Sequence, residues 1–113
     1  MHHPLTGPGG LPAPVLVIGT GHHLSLALIG REGLLARAHD PLVRGHAEAI
    51  MPALRALLAG QPRVGSILVE TGPGSFTGLR IGIAAARALG LAWRIPVHGV
   101  SSTLLVAAAA RAA

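Results

Sequence analysis

The sequence predicts an α/β fold in which a mixed five-stranded sheet carries helices on its faces. Three observations point there. Residues 14–40 hold three strand-like runs joined by short turns, with no helical period among them. After Asp40-Pro41 the apolar period lengthens, and helix-like and strand-like segments alternate to the end of the chain. Glycine or proline stands at nearly every boundary: Gly21, Gly60, Gly72-Pro73-Gly74 and Pro96.

The elements follow in order. "PVLVIGT" (14–20) is an unbroken apolar run and reads as a buried strand. "HHLSLALIG" (22–30) alternates Leu24, Leu26 and Leu28 with smaller residues, as a half-buried strand does; its adjacent His22 and His23 would then point to opposite faces. "REG" (31–33) is a tight turn into a third strand, "LLARAHD" (34–40), which completes an antiparallel meander. In "GHAEAIMPALRALLAG" (45–60), Ile50, Leu54, Leu57 and Leu58 recur at helical spacing and Gly60 marks the stop. Pro52 should kink this helix or mark its true first turn, because it lacks a backbone donor. "GSILVET" (65–71) is a fourth strand, 76–93 a long helix, and "PVHGV" (96–100) a fifth strand. Ser101 and Ser102 are N-cap candidates for a last helix running to the end of the chain. The order β-β-β-α-β-α-β-α is that of a ribonuclease-H-like, actin-like half-domain. Residues 1–13, rich in glycine and proline, read as a disordered lead-in to a domain over 14–113.

Composition narrows the chemistry. Half of the 113 residues are apolar, yet Phe76 and Trp93 are the whole aromatic complement, so the core must be aliphatic and small. With no cysteine, disulfides, thiolate metal sites and cysteine nucleophiles are excluded. No secretory signal pattern is present, and the apolar tracts are broken by Arg80, Arg87 and Arg94, so a cytoplasmic protein without a membrane span is expected. The nine basic residues, all arginine, outnumber four acids and give a net charge of +5. Such a surplus suits RNA or an acidic protein partner, but no arginine run or stacking platform supports direct base reading.

Enzyme readings on this fold meet a shortage of acids. A two-metal nuclease needs clustered carboxylates. The acids here are Glu32, Asp40, Glu48 and Glu70, and only Glu70, at the end of the fourth strand, falls near the expected cleft. The end of the first strand is Gly19, where actin-like ATPases also need an acid. The seven histidines form no HxH or HxxxH pair, so neither a metal nor a catalytic residue is assigned. "GPGSFTG" (72–78) lacks the lysine of a phosphate-binding P-loop. The backbone donors around Gly74 and Ser75 remain a possible anion site; the plainer reading is a strand-to-helix turn with Ser75, or Thr77, as N-cap.

The helix over 76–93 is unusual. Gly78, Gly82, Ala86 and Gly90 fall at successive i+4 positions and pave one ridge almost without side chains. Each interior glycine costs about 0.5–1 kcal/mol relative to alanine, so the ridge needs compensation from close packing. Arg80, Arg87 and Arg94 repeat every seven residues as a second stripe. The expectation is a ridge that receives a second polypeptide; the alternative is that it packs on the chain's own sheet.

At these residues a resemblance enters. "GPGSFTGLRIGIAAARALGLAWRIPVHGVSS" resembles the signature of the TsaB (YeaZ) family of bacterial tRNA-modification subunits. "VLVIGTGHHLSLALI" is similar to that family's first hairpin, and "GHAEAIMPAL" to its H-[ST]-x-x-[IL]-x-P-x-[IL] helix, so the likeness runs from about Pro14 to the end. The resemblance implies a non-catalytic dimerisation subunit, without a cofactor, of the machinery that makes N6-threonylcarbamoyladenosine in tRNA. It implies pairing with a TsaD-like transferase subunit, company from a TsaE-like ATPase, a possible homodimer, and tRNA contact only through the complex. Carried onto this sequence, the family's paired helices place His46, Ile50 and Leu54 with Phe76, Gly78, Arg80, Gly82, Ala86, Arg87 and Gly90 at an interface. Two departures stand out: Gly19 replaces the family's usual aspartate, and the family's second half-domain does not follow Ala113. A nucleotide-binding actin-like enzyme and a truncated fragment without independent function are the competing readings.

Overall fold

The structure, a computed structural model, describes residues 10–42, 45–74, 76–102 and 104. Its elements are β1 (Val15–Gly19), β2 (Leu24–Gly30), β3 (Gly33–Asp40), α1 (His46–Leu58), β4 (Ser66–Gly72), α2 (Phe76–Trp93) and β5 (Val97–Ser101). They form one five-stranded sheet in the order β3-β2-β1-β4-β5. β1 pairs antiparallel with β2 and parallel with β4; β2–β3 is antiparallel and β4–β5 parallel. This mixed sheet with helices against it is the α/β, ribonuclease-H-like arrangement that the element order predicts.

Position in the sheet explains the composition of each strand. β1 is central and buried at every residue, which is why it has no polar alternation. β2 alternates buried and half-buried residues, with Leu24, Leu26 and Leu28 on the core side. β3 is an edge strand and mostly exposed. A bulge between Leu28 and Ile29 offsets its register, so that Leu28 pairs with Ala36 but Ile29 with Leu34.

Both helices feed one core. α1 packs on β2 and β3, α2 packs on β4, β1 and β5, and the two helices touch each other. Leu16, Ile18, Leu26, Leu28, Ile67 and Val69 from the sheet meet Ile50, Leu54 and Leu57 from α1 and Ala86 from α2. α1 starts after Gly45, whose left-handed backbone (φ 86°) supplies no side-chain cap. Pro52 lies well inside α1, so it does not mark the helix's first turn. α2 ends in a Schellman closure: Arg94 takes a left-handed conformation (φ 55°) and Ile95 N–H donates to the Gly90 carbonyl at 3.1 Å.

Three sequence expectations shift. His22 and His23 belong to the β1–β2 turn, not to β2, which starts at Leu24. Residues 12–14 are held against the sheet: Ser66 Oγ donates to the Pro12 carbonyl at 2.7 Å, and Gly65 N–H donates to the Pro14 carbonyl at 2.8 Å. Contacts with the sheet therefore reach back to Pro12. At the other end Ser101 is the N-cap, since Leu104 N–H donates to its Oγ at 3.1 Å. The rest of the expected last helix lies outside the described residues, as do residues 1–9 of the expected lead-in.

Candidate functional site

The glycine ridge of α2 points inward. Gly78, Gly82, Ala86 and Gly90 are all buried. A Cβ at Gly82 would run into the Thr20 side chain, and one at Gly90 into the Val97 side chain. Ala86 sits at 0 % exposure in the shared core. The small residues let α2 lie close to β1 and β5, and this close approach is the compensation that the glycines require. His46, Ile50 and Leu54 of α1 are buried as well, the last two in the same core. These seven positions are thus buried within the chain itself, the alternative that the sequence leaves open for the ridge.

The outward face of α2 is built from the opposite phase. Phe76, Arg80, Ala84 and Ala88 follow one i+4 row, and Arg87 and Leu91 a second; all are exposed. Phe76 is 67 % exposed and Leu91 83 % exposed, both large apolar side chains in water. The Arg80 guanidinium lies 4.0 Å above the centre of the Phe76 ring, a cation–π pair. Met51 of α1 adds further exposed apolar surface at 51 %. α2 has no acidic residue to pair with its arginines. Arg94 leaves the predicted stripe because it belongs to the helix stop. Of the ten expected interface residues, Phe76, Arg80 and Arg87 face outward, and Leu91, outside that expectation, faces outward with them. Its signal is its phase: it lies half a turn from Gly82 on the helix, visible once the ridge is taken as the inner face.

The C-terminal ends of β1 and β4 form a second place of interest. Glu70 is 6 % exposed, and its Oε1 accepts the Gly21 N–H at 2.8 Å. A Cβ on Gly21 would stand 2.9 Å from Glu70 Oε2, and one on Gly74 would stand 3.0 Å from the Gly21 Cα. Gly74 thus packs on the backbone of Gly21, and Gly21 on the Glu70 carboxyl group. Gly72, with φ 118°, makes the turn between β4 and this contact. Ser75 lies outside the described residues. Thr20 Oγ1, fully buried against Gly82, and His46 Nε2 have no hydrogen-bond partner among the described residues.

The histidines gather only in part. His23 and His39 stack edge to face with ring centres 5.3 Å apart, and His39 Nδ1 shares a 2.7 Å hydrogen bond with Ser25 Oγ. Among the described residues no three His, Cys, Asp or Glu side chains are placed to hold a metal ion. No helix among them is long and apolar enough to cross a membrane.

Comparison with known proteins fits this architecture. The family model described as TsaD, tRNA N6-adenosine threonylcarbamoyltransferase, matches residues 41–113. The chain is 34 % identical over 102 residues to the tRNA threonylcarbamoyladenosine biosynthesis protein TsaB of Bacillus subtilis, covering 86 % of this chain and 44 % of that protein. It is 29 % identical over 97 residues to the Escherichia coli protein of the same name, covering 82 % of this chain and 42 % of that one. A solved structure of YeaZ from Pseudomonas aeruginosa superposes with a TM-score of 0.69 at 34 % identity, over 77 % of this chain and 42 % of that one. The chain thus spans less than half the length of the relatives it matches. On sequence and on fold alike, the chain belongs to the TsaB/YeaZ family, within reach of the TsaD-type family model.

Proposed function

We propose that this chain serves tRNA threonylcarbamoyladenosine biosynthesis in the cytoplasm as a non-catalytic subunit, docking through the outward face of α2 onto a TsaD-type transferase subunit. A TsaE-type ATPase would join the assembly, and tRNA would be reached through the transferase. The names of the bacterial relatives support the pathway. One observation carries the docking reading. α2 commits its whole glycine ridge to the chain's own core, yet leaves Phe76 and Leu91 in water on its other side, flanking Arg80 and Arg87. Exposed aromatic and arginine residues on a firmly seated helix are the composition of interface anchors.

The test is co-purification and a titration against a TsaD-type protein. Phe76→Ala and Leu91→Ala should each weaken binding about tenfold or more, a loss of roughly 1–2 kcal/mol or more at an anchor. Their unfolding midpoints should move little, because exposed truncations stay within about 0.5 kcal/mol. Undiminished binding by the double variant would refute docking through this face. A homodimer through the same face would instead show as a mass that halves in the double variant with no transferase present.

A further inference from the structure

We propose that Glu70 is the positioning residue of the docking face: its carboxyl group ties the β1–β2 turn to the Gly-Pro-Gly turn and so fixes the first turn of α2. This rests on the docking role proposed for α2, and it names a group that neither helix contains. Glu70 is the only acidic side chain buried among the described residues. It lies at the C-terminal end of β4, one residue past the Ile18–Val69 pair, so it stands beside Gly19 of β1. Gly19 has no side chain to compete for the space. Among the acids, Glu32, Asp40 and Glu48 are exposed.

The contacts stack in three layers. Glu70 Oε1 takes the Gly21 N–H at 2.8 Å, a charge-assisted bond when the carboxyl group is ionised. Gly21 offers the carboxyl group its bare Cα, since a Cβ there would meet Oε2 at 2.9 Å and Oε1 at 3.0 Å. Gly74 then rests on Gly21 from the adjoining turn, where a Cβ would meet the Gly21 Cα at 3.0 Å and its carbonyl oxygen at 3.2 Å. Phe76 begins α2 two residues later, with Arg80 stacked on it. The two turns meet through side-chain-free backbone. Among the described residues Glu70 is the side chain that hydrogen-bonds this stack, and Gly72, in the same turn as Gly74, packs on Leu79 of α2, where a Cβ would meet Leu79 Cδ1 at 3.2 Å. The β1–β2 turn also carries Thr20, which packs on Gly82 of α2, so this turn meets the helix a second time.

Two variants separate the hydrogen bond from the charge. Glu70→Gln keeps an oxygen acceptor of similar reach; Glu70→Ala removes it. Amide hydrogen exchange on the full chain gives a readout that needs no partner. In Glu70→Ala, exchange at Gly21 and at Arg80, whose N–H closes the first turn of α2, should quicken tenfold or more, while Val17 and Leu68 in the sheet keep wild-type rates. In Glu70→Gln all four should stay within about threefold of wild type. Titration against the TsaD-type protein should follow the same order, with Glu70→Ala weakened at least threefold and Glu70→Gln near wild type. Unchanged exchange at Gly21 and Arg80 in Glu70→Ala would overturn the tie. Faster exchange with undiminished affinity would overturn its bearing on docking. Should the wild-type chain bind no transferase, the docking role falls and the positioning role with it, while the exchange rates still decide whether Glu70 joins the two turns.

Discussion

At the residue scale, the glycines of α2 separate helix propensity from packing. Alanine is intrinsically the better helix former by about 1 kcal/mol. At Gly82, however, the added methyl group meets Thr20, whose short side chain sits at 0 % exposure with nowhere to retreat. Gly82→Ala should therefore destabilise by about 1–3 kcal/mol, the usual cost of overpacking. Ala84→Gly, on the exposed row of the same helix, should cost about 1 kcal/mol through propensity alone. Chemical denaturation of the two variants checks both signs, and a stabilised Gly82→Ala protein would contradict the inward ridge. Gly90 belongs to the same class, since a methyl group there meets Val97 of β5.

At the element scale, α1 is held by aliphatic depth and by little else. Its N-cap supplies no side-chain bond and Pro52 removes a donor from its interior, so the row of Ile50, Leu54 and Leu57 carries it. Leu54→Ala should cost about 2–5 kcal/mol and lower the thermal midpoint accordingly, measured by circular dichroism. Most elements were legible in the sequence because burial and period agreed: β1 as a run without alternation, β2 by its alternating leucines, α2 from Phe76 to Trp93. Boundaries moved where a turn overrode the pattern, as at His22 and His23, whose place beside apolar alternation resembles a strand start. The inner and outer faces of α2 were not legible, and the reason is physical. A ridge of small residues is equally suited to a neighbouring chain and to the chain's own sheet, and spacing alone does not say which surface lies above it. Thr20 and Val97, the two residues that decide the matter, are remote from Gly82 in sequence or lie beyond the end of the helix. Glu70 was visible as the one acid near the strand ends, but its bond to Gly21 needs the parallel register of β1 and β4.

At the scale of the whole molecule, one core joins both helices to all the inner strands, although the chain spans less than half the length of its TsaB relatives. Among the described residues β1 stands at the centre, β3 and β5 at the edges, and α1 meets α2. The chain as it stands should therefore unfold in a single cooperative transition. Trp93, packed at the rim of that core, provides the check, since its fluorescence and the far-ultraviolet circular dichroism should give one coincident midpoint. Two separated midpoints would mean that the sheet and the helical layer do not melt together. The inward seating of the glycines has one more consequence, for how such a protein changes over generations. Residues that fix the architecture lie on one side of α2, and residues in water lie on the other. A lineage can rewrite exposed positions such as Arg87 and Leu91 while the architecture beneath is inherited intact.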